Sequence, residues 1–337
     1  MSAKMEMSPA MAVPATGGVS TKPQGAALRE VAVKNIVWIW LIGLVIAFSL
    51  LNSFFWSAAN LQNTLTQATV LGLLALAASL PLLVGEIDLS IAANMGISSA
   101  VGGLLMGSGW PTFACVGTGL VVSTAIGLIN GLCITKLRMV SLIETLSMMI
   151  ILQGGLLAIT QGSTITDFSA AYLWIGQTTI GGWPVLPVVL FVAFVLMAVL
   201  LRRTVFGRQL YATGGNAAAA HVAGIRVAQV KIAAYTLSGL IAGLAGYFLA
   251  SWQMAITSDQ GAGLLLYSIA APIIGGVSVF GGRGNALGIL GGVLLLTVIH
   301  VGLAIVNVPS FYVEMIGGFL IFVAVAVDAL RVGNNSR

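Results

Sequence analysis

The chain has 337 residues, 58% of them hydrophobic and only 7% charged, with a mean hydropathy of +1.06. A soluble domain carries about 25% charged residues, so this composition excludes one. The net charge of +5 comes from basic residues scattered between apolar runs, not from the clustered basic face of a nucleic-acid binder.

Residues 1–34 hold Pro9, Pro14 and Pro23, several Gly and Ser, and four basic residues, and read as a disordered cytoplasmic tail. The apolar run from Ile36 to Phe55 that follows has no A-x-A site behind it, which argues against a cleaved signal peptide. Ten apolar segments then follow at about 36–55, 61–84, 91–107, 111–135, 139–160, 184–201, 230–251, 264–280, 285–306 and 310–330. Runs of this length cross a bilayer as helices. The expected fold is therefore all-α: a polytopic transmembrane helical bundle of about ten spans over residues 35–330, with a short cytoplasmic tail at 331–337. The segments near 91–107 and 264–280 have the length of broken or re-entrant helices.

Cytoplasmic loops of membrane proteins are enriched in Lys and Arg. With the N-terminus in the cytoplasm and every segment crossing, all 14 basic residues fall on the inner side, while the outer loops hold Asp167 and Asp259. A hairpin re-entering from outside over 61–107 leaves that parity unchanged. Trp56, Trp110, Trp183 and Trp252 fall at expected outer ends, where an amphipathic indole favours the headgroup layer.

The inner loop at 202–231 contains a polar island, FGRQLYATGGNAAAAHVAGIRV, from Phe206 to Val227. Residues 208–213 can begin a helix, Gly214-Gly215 breaks it with Gly214 at positive φ, Asn216 caps a short helix over 217–222, and Gly224 ends that. The plain alternative is a solvated linker. Against it, four consecutive small residues present a flat surface that another protein can dock on.

Catalytic signatures are missing. No lysine follows a glycine, so there is no phosphate loop, and the two histidines, 79 residues apart, exclude an HExxH zinc motif. No catalytic residue and no metal site are expected. Cys115 and Cys133 lie 18 residues apart on one apolar segment, roughly 27 Å along a straight helix, so they read as unpaired buried thiols. Ionisable groups inside apolar segments are candidates for function. Glu144 stands near enough to the inner end to reach water or Arg138, and His300 can stay neutral on one hydrogen bond. Gly127/Gly131, Gly239/Gly243 and the row Gly284, Gly288, Gly292 have the spacing that lets helix backbones approach, chiefly within the chain.

Four stretches carry a resemblance: GEIDLS (85–90), GLINGLCITKLRMVSLIETL (127–146), the island, and GGVSVFGGRGNALG (275–288). Together, over roughly residues 35–330, the chain resembles the permease subunit of bacterial ABC importers for monosaccharides of the ribose, xylose and arabinose type. The resemblance implies a multi-pass protein of the inner membrane, with both termini cytoplasmic. It implies a cytoplasmic ABC ATPase, a second permease chain, identical or not, and a periplasmic substrate-binding protein as partners. ATP and Mg²⁺ would be bound by the ATPase, and this chain would hold no cofactor. Gly207, Arg208, Gly214, Asn216, Ala219 and Gly224 match the family's coupling segment, and His221 lies on the same short helix. Glu86, Asp88, Ser90, Asn94, Asn130, Glu144 and Gln153 are the candidates for the translocation path or its gate. Val140 stands where the family commonly has Pro, Glu144 where it has a small or apolar residue, and Glu86 where glycine is usual. The main rival is an ion-coupled secondary transporter, which interrupted helices near Gly85 and Gly275 would also fit; the scarcity of membrane carboxylates counts against it. An anchor subunit without transport of its own, or a membrane enzyme, fits the residues less well.

Overall fold

A computed structural model describes residues 36–335; the expected tail at 1–34 lies outside them, as do residues 336–337. Thirteen helices follow one another among the described residues: α1 (Ile36–Leu51), α2 (Ala58–Leu83), α3 (Ile91–Gly107), α4 (Thr112–Lys136), α5 (Ser141–Thr160), α6 (Ala170–Gln177), α7 (Leu186–Arg203), α8 (Val205–Gly215), α9 (Ala217–Val222), α10 (Val227–Gln253), α11 (Leu265–Ile274), α12 (Ala286–Ile305) and α13 (Ser310–Asn335). Short polar side chains start several of them. Ser57 accepts from the Asn60 amide at 3.1 Å, Thr204 from Gly207 at 3.0 Å and Asn285 from Gly288 at 2.8 Å, each satisfying an amide that the first helical turn leaves unpaired.

Among the described residues, six helices (α2, α4, α5, α7, α10 and α12) are long and apolar enough to cross a membrane, while α1, α3 and the stretch Ala262–Ile274 are apolar but shorter. Nine of the ten expected segments thus divide into six spans and three shorter pieces, and the tenth, at 310–330, falls within α13. The segment expected at 264–280 stops as a helix at Ile274, and its remainder is a glycine-rich turn. The outer connection expected at 161–183 also has structure of its own. It contains α6 and a hairpin pairing Thr179–Ile180 with Trp183–Pro184, and Ile165 bridges to Ile256 of the next such connection.

Helix α2 is the centre of the bundle, with every residue from 68 to 84 buried. A helix apolar on all sides is stable only when surrounded, and α2 packs against α7, α10, α11 and α12 in one continuous apolar core. On the outside, Trp40, Leu50, Ile143, Ile151 and Phe191 are exposed, as a lipid-facing perimeter requires. The glycine rows do pack within the chain. A Cβ on Gly127 would overlap the Tyr235 carbonyl oxygen and lie 3.2 Å from the Gly239 Cα, and one on Gly131 would lie 2.9 Å from the Ile232 Cα. Gly288 and Gly292 bring α12 equally close to the backbone of Gly275 and Ala271. Cys115 is buried and Cys133 half-buried, and both are free thiols.

Candidate functional site

Two interrupted helices meet at one place. After α2 the chain turns at Gly85, with φ +79°, into the Glu86–Ser90 loop; after α11 it turns through Gly276, Gly281 and Gly282, all at positive φ. The Gly282 amide donates to the Leu83 carbonyl at 3.0 Å, which ties the second break to the end of α2. The C-terminal turn of α8 closes against both. A Cβ on Gly214 would overlap the Leu83 carbonyl oxygen and lie 2.5 Å from the Gly282 nitrogen. Gly214 is helical, so the expectation that it serves a positive φ is corrected: it is needed for backbone approach. Tyr211, one turn earlier, donates its hydroxyl to the Gly284 carbonyl at 2.8 Å, and burial raises its phenol above the ordinary value, keeping that donor protonated. Across the junction, Lys231 at the start of α10 makes an ion pair with Glu86.

Behind the junction lies a buried polar cluster. Asp88 Oδ1 accepts from the Ser90 amide at 2.8 Å and from the Ser90 hydroxyl at 2.7 Å, and Asn130 of α4 donates its Nδ2 to Ser90 Oγ at 2.8 Å. Thr145 of α5 accepts the Leu89 amide at 3.1 Å. Asn94 donates to the Ser123 carbonyl at 3.0 Å. Three helices distant in sequence therefore hold the 86–90 loop, α4 through Asn130, α5 through Thr145 and α10 through Lys231, while Glu86 Oε2, Asn94 Oδ1, Asn130 Oδ1 and Glu144 Oε2 have no hydrogen-bond partner in the protein. Glu86, Asp88, Ser90, Asn94, Asn130 and Glu144 are all brought to this side of the bundle. Glu144 is only 4% exposed and forms no ion pair with Arg138, so the sequence-based expectation of a solvent or arginine contact is corrected. Val140 occupies the N-cap position of α5 without a side-chain hydrogen bond, and Glu144 lies buried in the first turn of that helix. Gln153 does not join the cluster; it lies on the exposed side of α5.

The island forms α8 and α9 as its residues direct. The Asn216 side chain accepts from the Ala219 amide at 3.0 Å, and Gly224, at φ +84°, ends the segment. Gly207 is buried in the α7–α8 corner, and Arg208 and His221 are exposed. The alanine run does not present one flat face: Ala217, Ala218 and Ala219 are exposed, whereas Ala220 is buried and anchors α9. Beside them Val222 is 88% exposed, an apolar side chain on a helix of six residues that covers nothing of its own chain.

Two features escape sequence reasoning. The Lys231–Glu86 pair joins residues 145 apart, and nothing local links them. At the opposite end of α2, a cavity of about 910 Å³ opens between α2, α10, α11, α12 and α13, and it contains His300. Its walls come from those five helices and from the connection over 257–264; the one local signal was a histidine in an apolar run. Among the described residues no group of three or more His, Cys, Asp or Glu could hold a metal ion.

Residues 60–325 match the family described as branched-chain amino acid transport system / permease component. The chain is 38% identical over 288 residues to the ribose import permease protein RbsC of Bacillus subtilis (strain 168), covering 85% of this chain and 89% of that protein. It is 32% identical over 312 residues to the L-arabinose ABC transporter permease protein AraH of Azospirillum brasilense, covering 92% and 91%. It is 31% identical over 298 residues to the autoinducer 2 import system permease protein LsrC of Photorhabdus luminescens, covering 86% and 88%. No solved structure matches it.

Proposed function

The chain belongs to the family of permease components of the branched-chain amino acid transport system, and from that membership we propose that it is the membrane permease subunit of an ABC importer for a monosaccharide. It lies in a bacterial inner membrane with both termini in the cytoplasm, pairs with a second permease chain, receives its solute from a periplasmic binding protein, and is driven by a cytoplasmic ATPase. ATP and Mg²⁺ belong to that ATPase; this chain holds no cofactor of its own. The sugar assignment rests on the ribose and arabinose permeases among its relatives.

One observation carries the coupling role. The exposed helix α9 is joined through Asn216 alone to α8, whose last turn touches both helix interruptions through Gly214, and by the four-residue turn 223–226 to α10, whose Lys231 holds the loop after α2. A push on α9 therefore reaches the polar cluster through backbone contact and an ion pair rather than through a flexible loop. Residues 202–231 are the coupling segment in this reading, with Gly207, Arg208, Gly214, Asn216, Ala219, His221 and Gly224 forming or shaping its face. Glu86, Asp88, Ser90, Asn94, Asn130 and Glu144 form the inner gate. The purified chain alone is expected neither to bind nor to hydrolyse ATP, and uptake in proteoliposomes to need the ATPase. Uptake driven by an ion gradient without it would restore the secondary-transporter reading.

The orientation has its own test. In a background lacking Cys115 and Cys133, a cysteine at exposed Thr179 is expected to react with an impermeant thiol reagent in spheroplasts, and one at exposed Ala218 only after lysis. The reverse pattern rejects the placement of the basic residues.

The Lys231–Glu86 pair is the third point of measurement. Both side chains are largely buried. Removing one partner should cost more than the roughly 1 kcal/mol of an exposed pair and less than the roughly 3–5 kcal/mol of a fully enclosed one. Lys231→Met is expected to lower the melting temperature in detergent and to slow uptake; Glu86→Gln added to it should recover part of both, because no bare carboxylate remains. Strictly additive losses would show that the pair is not coupled.

A further inference from the structure

The cavity at the far end of α2 is lined by Trp252 and Tyr267, by Gln67 and Gln253, and by the carboxylates Asp259 and Glu314. In the orientation proposed above, it opens on the side where the binding protein delivers. Its volume of about 910 Å³ falls near the top of the range of roughly 300–1,000 Å³ usual for small-molecule sites. Two aromatic side chains offer faces for the C–H side of a sugar ring, and amide and carboxylate groups take pairs of hydroxyls. Tyr267 is held in place: its ring meets His300 edge-on at 6.5 Å, and its hydroxyl packs against Gly317 of α13. The wall contains two carboxylates and no lysine or arginine, although the chain carries 14 basic residues. An anionic solute entering it would meet like charge without a counter-ion.

We propose that this cavity is the outer station of the solute path, and that it admits an uncharged polyhydroxylated solute while turning away carboxylates and phosphates. The inference rests on the permease reading, and adds to it the place of the solute and the basis of its selection by charge. The wide volume and partly exposed lining suit brief, weak occupancy, as a passage requires.

The test uses the complete importer, permease with ATPase and binding protein, in proteoliposomes. The probes are radiolabelled D-ribose, L-arabinose and D-xylose, with ribose 5-phosphate and L-leucine as anionic and zwitterionic comparators. Wild type is expected to accumulate at least one of the three sugars and neither comparator. Trp252→Ala and Glu314→Gln are expected to cut sugar uptake about tenfold or more, the scale of losing a principal contact. Stimulation of ATP hydrolysis by the loaded binding protein should stay intact, since the α8–α9 face is untouched, and Trp252→Phe should restore most uptake. A second readout avoids transport. With Cys115 and Cys133 replaced by alanine, millimolar sugar should slow thiol labelling of Glu314→Cys, and ribose 5-phosphate should not. Wild-type sugar uptake with unchanged uptake in Trp252→Ala and Glu314→Gln overturns the cavity proposal and leaves the permease reading standing. Absence of ATP-driven uptake of all three sugars by wild type overturns both.

Discussion

Ala219→Glu is expected to abolish uptake while leaving the protein in the membrane at normal abundance. Ala219 is exposed on α9, outside the six membrane-length helices, so insertion of the spans does not depend on it. It is also the third residue of a helix capped by Asn216, a position where a glutamate is favourable because it faces the unpaired amides of the first turn. The helix itself should therefore survive or strengthen. What changes is the surface around Ala217, Ala218 and Val222, where docking would bury the new carboxylate without a partner. Such a burial costs about 2–5 kcal/mol, equivalent to a roughly 30- to 4,000-fold weaker association. Co-purification of the ATPase, uptake and membrane abundance are measured together. Normal uptake by Ala219→Glu would mean that this face stays in water and that the island is a solvated linker.

Gly214→Ala is expected to act inside the chain, not at its surface. The added methyl would overlap the Leu83 carbonyl oxygen and lie 2.5 Å from the Gly282 nitrogen, and both are backbone atoms that no rotamer change can remove. The Gly282-to-Leu83 hydrogen bond would have to stretch, separating the last turn of α8 from both helix interruptions. Overpacking of this kind costs about 1–3 kcal/mol and occasionally more. The variant should melt at lower temperature in detergent and couple ATP hydrolysis poorly to uptake, even where the ATPase still co-purifies. Gly215→Ala, next to it with open space around its Cα, is the matched control and should behave as wild type. Equal behaviour of the two variants would remove Gly214 from the coupling argument.

The amino-acid sequence by itself determined what depends on neighbours within a few turns. The long apolar runs require helices, Asn216 caps α9 because its side chain reaches an amide three residues on, and the small-residue rows mark where helices touch. The resemblance was equally legible, because its motifs are contiguous stretches. Tertiary structure decided whatever depends on two distant segments meeting. Gly214 is a glycine because Leu83 and Gly282 arrive beside it, and the helical backbone there gives no sign of this. Glu144 looked solvated from its place near a helix end, yet the rotation of α5 buries it; Gln153, nine residues on, is left exposed. Lys231 finds Glu86 across 145 residues. The cavity walls come from five helices and the connection over 257–264, none of which reads as a binding motif alone. Backbone hydrogen bonds and capping are local and leave a periodic trace, whereas a side chain's partner across the bundle is set by how whole helices pack and turn, and no spacing in one segment encodes it.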